Sequence, residues 1–459
     1  MSEPGRSPLD APRAAYVHIP FCRRRCYYCD FPISVLGDRL RGEASGTIQQ
    51  YLDLLEREIA HTPRSGQPLS TVFLGGGTPS LLSANQLRRI LTHLEQHFGI
   101  APDAEISIEM DPGTFDLEQL EGYLAAGITR ISLGVQAFQT ELLQACGRTH
   151  TIADIEQAAS WLHQVGMTNF SLDLISGLPH QTMEQWQESL QAAIALQPAH
   201  LSVYDLTIEP ATAFSKQYQP GATPLPSDDA TAQMYRVTQQ TLTAAGFEHY
   251  EISNYARSGY QCRHNRVYWE NRPFYGFGMG AASYLSGQRF SRPRTRQDYH
   301  QWLEAWIASG GIFDCPTNTP LEVLQDTLML GLRLQEGVNL GAIAAQFGAA
   351  YPVEILAALR PHQQRGWVQF VDECLNPLPF PPPGEAFVPG ELVQNSKKSD
   401  FSDSPSTQLG HPATEIRFLY RRSSHQRLRL TDPEGFLVSN VILSDLFNRL
   451  EEISESAAN

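Results

Sequence analysis

The segment YVHIPFCRRRCYYCDF, residues 16–31, carries three of the seven cysteines of the chain, Cys22, Cys26 and Cys29. The apolar residues 15–19 predict a β-strand, so the cysteines lie on the loop that leaves this strand. Three thiolates in a C-x3-C-x2-C spacing can hold one metal centre. They can ligate three irons of a four-iron cluster and leave the fourth iron without a protein ligand. Such an open position indicates substrate or cofactor chemistry, because structural metal sites are normally closed.

Two other interpretations of the cysteine loop fit less well. A disulfide is disfavoured because the cysteines are crowded, their number is odd and no secretory signal precedes them. Structural zinc usually takes four ligands, often from two C-x2-C or C-x2-H pairs, and no second pair follows. The remaining cysteines are scattered singly, at Cys146, Cys262, Cys315 and Cys374. A cluster with an exchangeable fourth ligand therefore explains the spacing best, with structural zinc as the alternative.

The same segment resembles the cluster loop of the radical S-adenosylmethionine (radical SAM) superfamily. The likeness is greatest to the branch that contains the heme chaperone family HemW and the oxygen-independent coproporphyrinogen III oxidases. It extends over nearly the whole chain except residues 1–13 and 375–426. The resemblance implies a 4Fe-4S cluster on Cys22, Cys26 and Cys29 whose open iron chelates SAM. It also implies that the reduced cluster passes an electron to the sulfonium, which yields a 5′-deoxyadenosyl radical.

The length and net charge of the chain limit the kinds of protein to which it can belong. A chain of 459 residues predicts two globular units plus linkers. The net charge of −15 argues against a nucleic-acid partner, which usually needs a basic surface. We expect no membrane span, although peripheral membrane association is compatible with the sequence, because no run of about 18 uncharged apolar residues occurs. The first residues lack the apolar core of a signal peptide, so the sequence predicts a cytoplasmic protein.

Strand and helix patterns alternate from residue 15 to about residue 245 in six strand–loop–helix units. This alternation predicts a parallel sheet with crossover helices. Because six units do not complete an eight-stranded barrel, the predicted fold is an α/β protein with a partial (β/α)6 barrel of the TIM type. Loops at the carboxyl ends of the strands build the active site of such barrels, and the cysteine loop is one of them.

The chain is predicted to divide into several segments. The predicted boundaries are a mobile arm over residues 1–13, a radical SAM barrel over 14–250, a heme- or substrate-side extension over 251–320, and a C-terminal domain over 321–459. Helical patterns in the last segment, followed by a strand near Leu428 and a final helix, predict a small winged-helix-like α+β domain. A Pro- and Ser-rich insertion at 375–426 interrupts it and is predicted to be disordered. The acidic charge of the chain favours a structural role for this domain over DNA binding.

Glycines and polar residues follow the predicted strands. Residues 75–78 read GGGT, and glycines there let a ligand approach the backbone. The absence of G-x4-G-K-[ST] argues against ATP or GTP. Polar residues at barrel rims pair with each other about as often as they bind ligands, so residue types alone leave both roles open. The resemblance implies SAM contacts for the following residues: Tyr16, Gly76, Gly77, Thr78, Glu109, Gln136, Arg148 and Asp173. Thr207 matches the family pattern more loosely.

A second pattern, HNRVYW at residues 264–269, bears on heme. Taken alone it favours a packed strand end, since a lone histidine is usually structural. It resembles the segment associated with heme binding in the HemW family, and this implies an axial iron ligand in His264 and aromatic contacts to the porphyrin. Many relatives carry histidine where this chain has Ala282, so no second histidine ligand is expected there. Cys262 is an alternative iron ligand, although a buried inert thiol is the expected role.

Two features choose between the branches of the family. The oxidases typically read C-x3-C-x2-C-x-C, whereas Phe31 stands in the last position here, and they carry a longer N-terminal arm than the 21 residues that precede Cys22. We therefore predict a heme chaperone that binds heme and transfers it to acceptor hemoproteins, without oxidase activity. The alternative is oxidative decarboxylation of coproporphyrinogen III to protoporphyrinogen IX. A radical SAM enzyme for another substrate is a third hypothesis.

Overall fold

The computed structural model describes residues 11–37, 42–43, 45–64, 66–313, 315–382 and 426–458. The chain divides into two units, residues 1–318 and 319–459. Most of the predicted mobile arm, and residues 383–425 of the predicted insertion, lie outside the described residues. The predicted boundary at residue 250 inside the first unit stays a prediction.

The first unit alternates strands and helices. Its strands are β1 (Ala14–Ile19), β2 (Phe21–Cys22), β3 (Ser34–Val35), β4 (Leu69–Gly76), β5 (Ile100–Met110), β6 (Arg130–Gln136), β7 (Phe170–Ser176), β8 (His200–Asp205), β9 (Glu248–Glu251), β10 (Asn254–Ala256), β11 (Tyr275–Phe277), β12 (Ala282–Leu285) and β13 (Gln288–Ser291). Its helices are α1 (Gly46–His61), α2 (Ala84–Phe98), α3 (Leu117–Ala126), α4 (Thr140–Ala145), α5 (Ile152–Gln164), α6 (Met183–Ala195), α7 (Ala213–Gln217), α8 (Asp228–Ala244), α9 (Arg263–Trp269) and α10 (Arg296–Ala308).

Within the described residues, nine strands form one sheet in the order β11-β1-β4-β5-β6-β7-β8-β10-β9. The run from β1 to β8 is parallel throughout, and β11 extends it by pairing parallel with β1. This confirms the partial (β/α)6 barrel, with β11 as an addition that the sequence did not predict. The strands are buried almost continuously because helices cover a parallel sheet. The short strand β2, which ends at Cys22, begins two residues after β1 ends, so the cysteine loop lies at the carboxyl edge of the sheet.

Beyond β8, the first unit contains a pair of antiparallel strands, β9 and β10. One local prediction in this unit is wrong. Residues 264–269 belong to α9 and are no strand end. The backbone N–H groups of Arg263 and His264 at the start of α9 both donate to the Glu105 carboxylate, at 3.0 Å each. The Glu105 carboxylate on β5 thus caps the amino terminus of α9 in place of a local capping residue. The sequence around residue 263 does not predict this cap.

The second unit combines helices with a small sheet. Its elements are α11 (Pro320–Gly331), β14 (Val338–Asn339), α12 (Leu340–Phe347), α13 (Ala350–Gln364), β15 (Val368–Val371), β16 (Arg427–Leu430), α14 (Glu434–Leu437) and α15 (Ser439–Ala458). The sheet is antiparallel in the order β14-β16-β15. This succession of helix, strand, two helices and two strands is the predicted winged-helix-like domain, with the insertion between its last two strands. Residues 375–382 of the predicted insertion are ordered, since the Leu378 N–H donates to the Phe370 carbonyl at 2.8 Å.

No helix among the described residues is both long enough and apolar enough to cross a bilayer.

Candidate functional site

A cavity of about 470 Å³ opens at the carboxyl edge of the barrel sheet. This is within the size range of small-molecule sites. The structure brings most of the predicted site residues together in its wall, in accord with the rule that strand carboxyl ends build the active site of such barrels. The predicted residues that line the cavity are Cys22, Cys26, Cys29, Gly76, Gly77, Thr78, Glu109, Gln136, Arg148 and Asp173, together with Thr207.

The cysteine loop forms one wall of this cavity. All three of its thiols are free. Burial raises the pKa of Cys22 to about 12, so its sulfur keeps a proton until a metal replaces it. Among the described residues no three His, Cys, Asp or Glu side chains surround one point as the ligands of a single metal ion would. The cysteines of a four-iron cluster each ligate a different iron and need not converge in that way.

The glycine segment at the end of β4 brings bare backbone to the cavity. A Cβ on Gly76 would lie 2.3 Å from His18 Cε1, and one on Gly77 would lie 2.7 Å from the Phe21 carbonyl oxygen. Gly76 also has a φ of 113°, which side-chain-bearing residues rarely adopt. Only glycine fits both positions. The backbone can therefore lie directly against a ligand in the cavity.

Two carboxyl groups lie deep in the cavity. Glu109 Oε2 accepts from the Gly76 N–H at 2.8 Å, and burial raises the pKa of Glu109 to about 7. Asp173 accepts from the Ser132 hydroxyl at 2.9 Å, and burial also raises its pKa. Both groups therefore hold a proton more readily than an exposed carboxyl group does. In either protonation state they can accept from hydroxyl or amino groups.

Arg148 supplies a buried positive charge in the wall of the cavity. Its Nη2 donates to Asp111 Oδ1 at 2.5 Å and to the Gly134 carbonyl at 2.9 Å, and its Nη1 lies 3.4 Å from Cys26 Sγ. Asp111 also accepts from the Thr78 hydroxyl at 3.0 Å. Asp111 therefore joins the arginine to the glycine segment, and this role was not predicted from the sequence. A carboxylate at a strand end beside a predicted arginine was the available signal.

Two buried polar atoms at the cavity lack a hydrogen-bond partner among the described residues. They are Gln136 Oε1 and Arg148 Nε. Gln136 stands where the β6–β7 register shifts, and its φ of 64° turns the chain out of the strand. Buried polar groups are nearly always hydrogen-bonded, so these two atoms indicate a ligand with polar groups. A cysteine loop, bare backbone, two carboxyl groups and an arginine together fit a 4Fe-4S cluster with SAM, whose amino, carboxylate and hydroxyl groups need such partners.

Tyr16 lies outside this wall. It is not among the described residues that line the cavity. Its hydroxyl is 3.0 Å from His18 Nδ1, and His18 Nε2 is 2.9 Å from the Pro32 carbonyl oxygen. Tyr16 therefore contacts the segment that follows the cysteines through His18, which bonds the Pro32 carbonyl oxygen. A direct SAM contact by Tyr16 stays a prediction.

His264 lies at the opposite, amino-terminal end of the sheet. Its side chain is fully buried. Nδ1 is 2.8 Å from Thr71 Oγ1, and Nε2 is 2.8 Å from the Tyr268 hydroxyl. Burial lowers the pKa of His264 to about 3, so the imidazole is neutral. Because both ring nitrogens already have partners, ligation of heme iron would require a conformation other than the one described, and this role stays a prediction.

Two family models match separate parts of the chain. Residues 16–193 match the radical SAM superfamily, and residues 318–377 match the HemN C-terminal domain. The solved structure of coproporphyrinogen III oxidase (HemN) from Escherichia coli, a radical SAM enzyme, superposes with a TM-score of 0.70 over 95% of this chain and 90% of that one. At 23% identity this likeness establishes the fold alone.

Comparison with individual proteins is more specific. Heme chaperone HemW from Synechocystis sp. is 47% identical over 96% of this chain and 98% of its own length. Heme chaperone HemW from Bacillus subtilis is 34% identical over 78% of this chain and 92% of its own length. The chain therefore belongs to the HemW family of radical SAM proteins, which confirms the resemblance drawn from the cysteine loop.

Proposed function

We propose that this protein is a heme chaperone that binds heme and delivers it to acceptor hemoproteins. The observation that carries the proposal is the 47% identity, over nearly the full length of both chains, to a protein described as a heme chaperone. The absence of a cysteine two residues after Cys29, where Phe31 stands, supports the same choice. The acceptors are hemoproteins that neither the fold nor the relatives identify. A cytoplasmic location and the lack of a nucleic-acid partner remain part of the proposal, on the charge and composition of the sequence.

The cavity at the carboxyl edge is proposed to hold the cofactors. Cys22, Cys26 and Cys29 would ligate the 4Fe-4S cluster, and SAM would occupy the remaining volume. When bound, the pair supplies one-electron chemistry at the sulfonium of SAM. Arg148 would pair with the carboxylate of SAM through its free Nε, and Gln136 would accept from a ligand N–H or O–H through its free Oε1.

The other side chains of the cavity would orient SAM. Asp173 and Glu109 lie where hydroxyl or amino groups can donate to them, and Gly76, Gly77 and Thr78 would line the backbone side. The cavity walls exclude bulk water from part of this space, which strengthens each of these polar contacts.

The alternative function is oxygen-independent coproporphyrinogen III oxidase, which shares the fold. The test is an anaerobic assay of the cluster-reconstituted protein with coproporphyrinogen III, SAM and a strong reductant, beside a known oxidase as positive control. We expect no protoporphyrinogen IX from this protein. Robust decarboxylation would replace the chaperone proposal with the oxidase.

A further inference from the structure

Exposed apolar side chains are concentrated on the cysteine loop. Of the six large hydrophobic side chains that are exposed among the described residues, three lie between residues 27 and 35: Tyr27, Phe31 and Val35. Phe31 is 53% exposed. An aromatic ring at the surface of a ligand cavity is costly to leave in water and indicates a contact surface.

Phe31 lines two cavities, as do its neighbours Asp30 and Ile33. One is the proposed cofactor cavity, and the other is a cleft of about 350 Å³. Pro32 and Ile33 continue the apolar wall of this cleft, which runs between the cysteine loop and the start of α10. We call it the arginine cleft, after the residues of its rim.

The rim of the arginine cleft is positively charged. Arg25, Arg294 and Arg296 line it, against one acidic lining residue, Asp30. Arg294 forms an ion pair with Asp30 at 3.3 Å and keeps 62% of its side chain exposed. This local excess of arginine is the reverse of the chain as a whole, whose net charge is −15. An arginine cluster on an acidic protein favours an anionic ligand, because guanidinium groups pair well with carboxylates.

The arginine cleft is tied to the cluster loop by hydrogen bonds. Arg25 Nη1 donates to the carbonyl oxygens of Cys29 at 3.2 Å and of Phe31 at 3.0 Å. The same side chain thus holds the proposed cluster ligand and the exposed ring in one arrangement. Arg25 therefore holds the backbone of Cys29 and Phe31 in place before any ligand binds, which lowers the entropic cost of binding.

We propose that heme binds in the arginine cleft, with the porphyrin face against Phe31 and the two propionates paired with Arg294 and Arg296. A flat apolar body with two carboxylates at one edge matches an aromatic wall with arginines at its rim. The inference rests on the proposed heme chaperone function and deepens it by naming a site. It places heme beside the cofactor cavity and not at His264.

Hemin titrations monitored at the Soret band test the site. Phe31→Ser and the double change Arg294→Glu/Arg296→Glu should each weaken hemin binding roughly tenfold, or by about 1.4 kcal/mol, because the first removes the stacking ring and the second removes the charges that pair with the propionates. Both sites are at the surface, so folding is retained. The matched controls are Ile312→Ser, at another exposed apolar side chain, and Arg64→Glu/Arg88→Glu, at two exposed arginines away from the cleft. These controls should bind hemin as the wild type does.

Hemin dimethyl ester, which lacks the free carboxylates, sharpens the test. The wild type should bind it roughly tenfold more weakly than hemin, and the double arginine change should have no further effect on it. Wild-type hemin affinity in both cleft variants, or equal binding of hemin and its ester, would overturn the site. Failure of the wild type to bind hemin at all would instead overturn the proposed function.

Discussion

Gln136 and Arg148 at the carboxyl end of the barrel sheet differ from His264 and Glu105 at its amino end in whether described residues supply all of their hydrogen-bond partners. At the carboxyl end, Gln136 Oε1 and Arg148 Nε are buried beside an open cavity and have no partner in the part of the chain that the structure describes. At the amino end, His264 has partners for both ring nitrogens, and the carboxylate of Glu105 accepts two backbone N–H groups.

This difference distinguishes residues that bind a ligand from residues that stabilise the fold. Polar groups that the protein leaves unpaired at a cavity are arranged for a ligand, since leaving them so costs free energy of folding. Polar groups that are paired inside the protein contribute to the folded structure. Substitutions at the carboxyl end should therefore change affinity, and substitutions around His264 should change stability.

The largest effect is expected at the cluster ligands. Changing any of Cys22, Cys26 or Cys29 to Ala should abolish the 4Fe-4S cluster, because each of these thiolates holds one iron. Iron and sulfide analysis and the visible absorbance of the anaerobically reconstituted protein measure this loss. Cys146→Ala is the matched control, since Cys146 is buried next to the loop and accepts from the Tyr27 N–H through its backbone alone. A full cluster in any of the three variants would show that the ligand assignment is wrong.

The next largest effect is expected at His264. His264→Ala leaves the hydroxyls of Thr71 and Tyr268 without their partner and opens a cavity, so the free energy of unfolding should fall by about 2–4 kcal/mol. Urea denaturation measures this change. Tyr268→Phe removes one of the two contacts and should cost about 1 kcal/mol.

The hemin affinity of the folded His264→Ala variant tests whether His264 is a heme iron ligand. We expect it to stay within about threefold of the wild type, because both ring nitrogens are occupied in the protein interior. A variant with normal stability that has lost hemin binding would instead establish His264 as the iron ligand that the family resemblance implies.

A smaller effect is expected at Gln136. Gln136→Asn keeps an amide and tolerates the positive φ but is too short to reach the same point. Affinity for SAM, measured by equilibrium dialysis on reconstituted protein, should fall roughly tenfold, which corresponds to about one hydrogen bond. The free energy of unfolding of the apoprotein should stay within about 0.5 kcal/mol. The opposite pattern, lost stability with unchanged SAM affinity, would make Gln136 a structural residue.

The smallest effect concerns Glu109 and pH. Burial raises its pKa from 4.5 to about 7, so the folded protein favours the protonated group. The stability that protonation contributes is therefore complete below about pH 4.5 and is lost as pH rises through about 7. Glu109→Gln does not titrate and should gain about 1–2 kcal/mol relative to wild type between about pH 5 and about pH 8. Urea denaturation of both apoproteins measures the difference, in which other titrating groups cancel, and a constant difference would contradict the shift.

Sequence patterns predicted the side chains at the carboxyl end of the barrel sheet better than those at its amino end. The cysteine spacing and the residues after successive strands are local signals, and strand ends of a parallel sheet meet at one edge whatever the details. The surroundings of His264 depend on Thr71 and Glu105, which are remote in sequence. No periodicity near residue 264 encodes those contacts. The helix α9 and the burial of His264 could therefore be learned only from the tertiary structure.

The arginine cleft was missed for a similar reason. Arg25 and Phe31 belong to the cysteine loop, whereas Arg294 and Arg296 precede or begin α10, more than 260 residues later. The pairing of Arg294 with Asp30 joins the two segments in the folded protein. In the sequence, Phe31 was notable because it replaces the cysteine that the oxidases carry at this position. Its exposure in the structure adds a proposed role in ligand contact.

The most direct test of the chaperone proposal is a hemin titration of the wild-type protein that carries its reconstituted cluster. We predict saturable binding near one hemin per chain, with a Soret band distinct from that of free hemin. Hemin spectra that never depart from those of free hemin, with no saturation, would contradict the proposal.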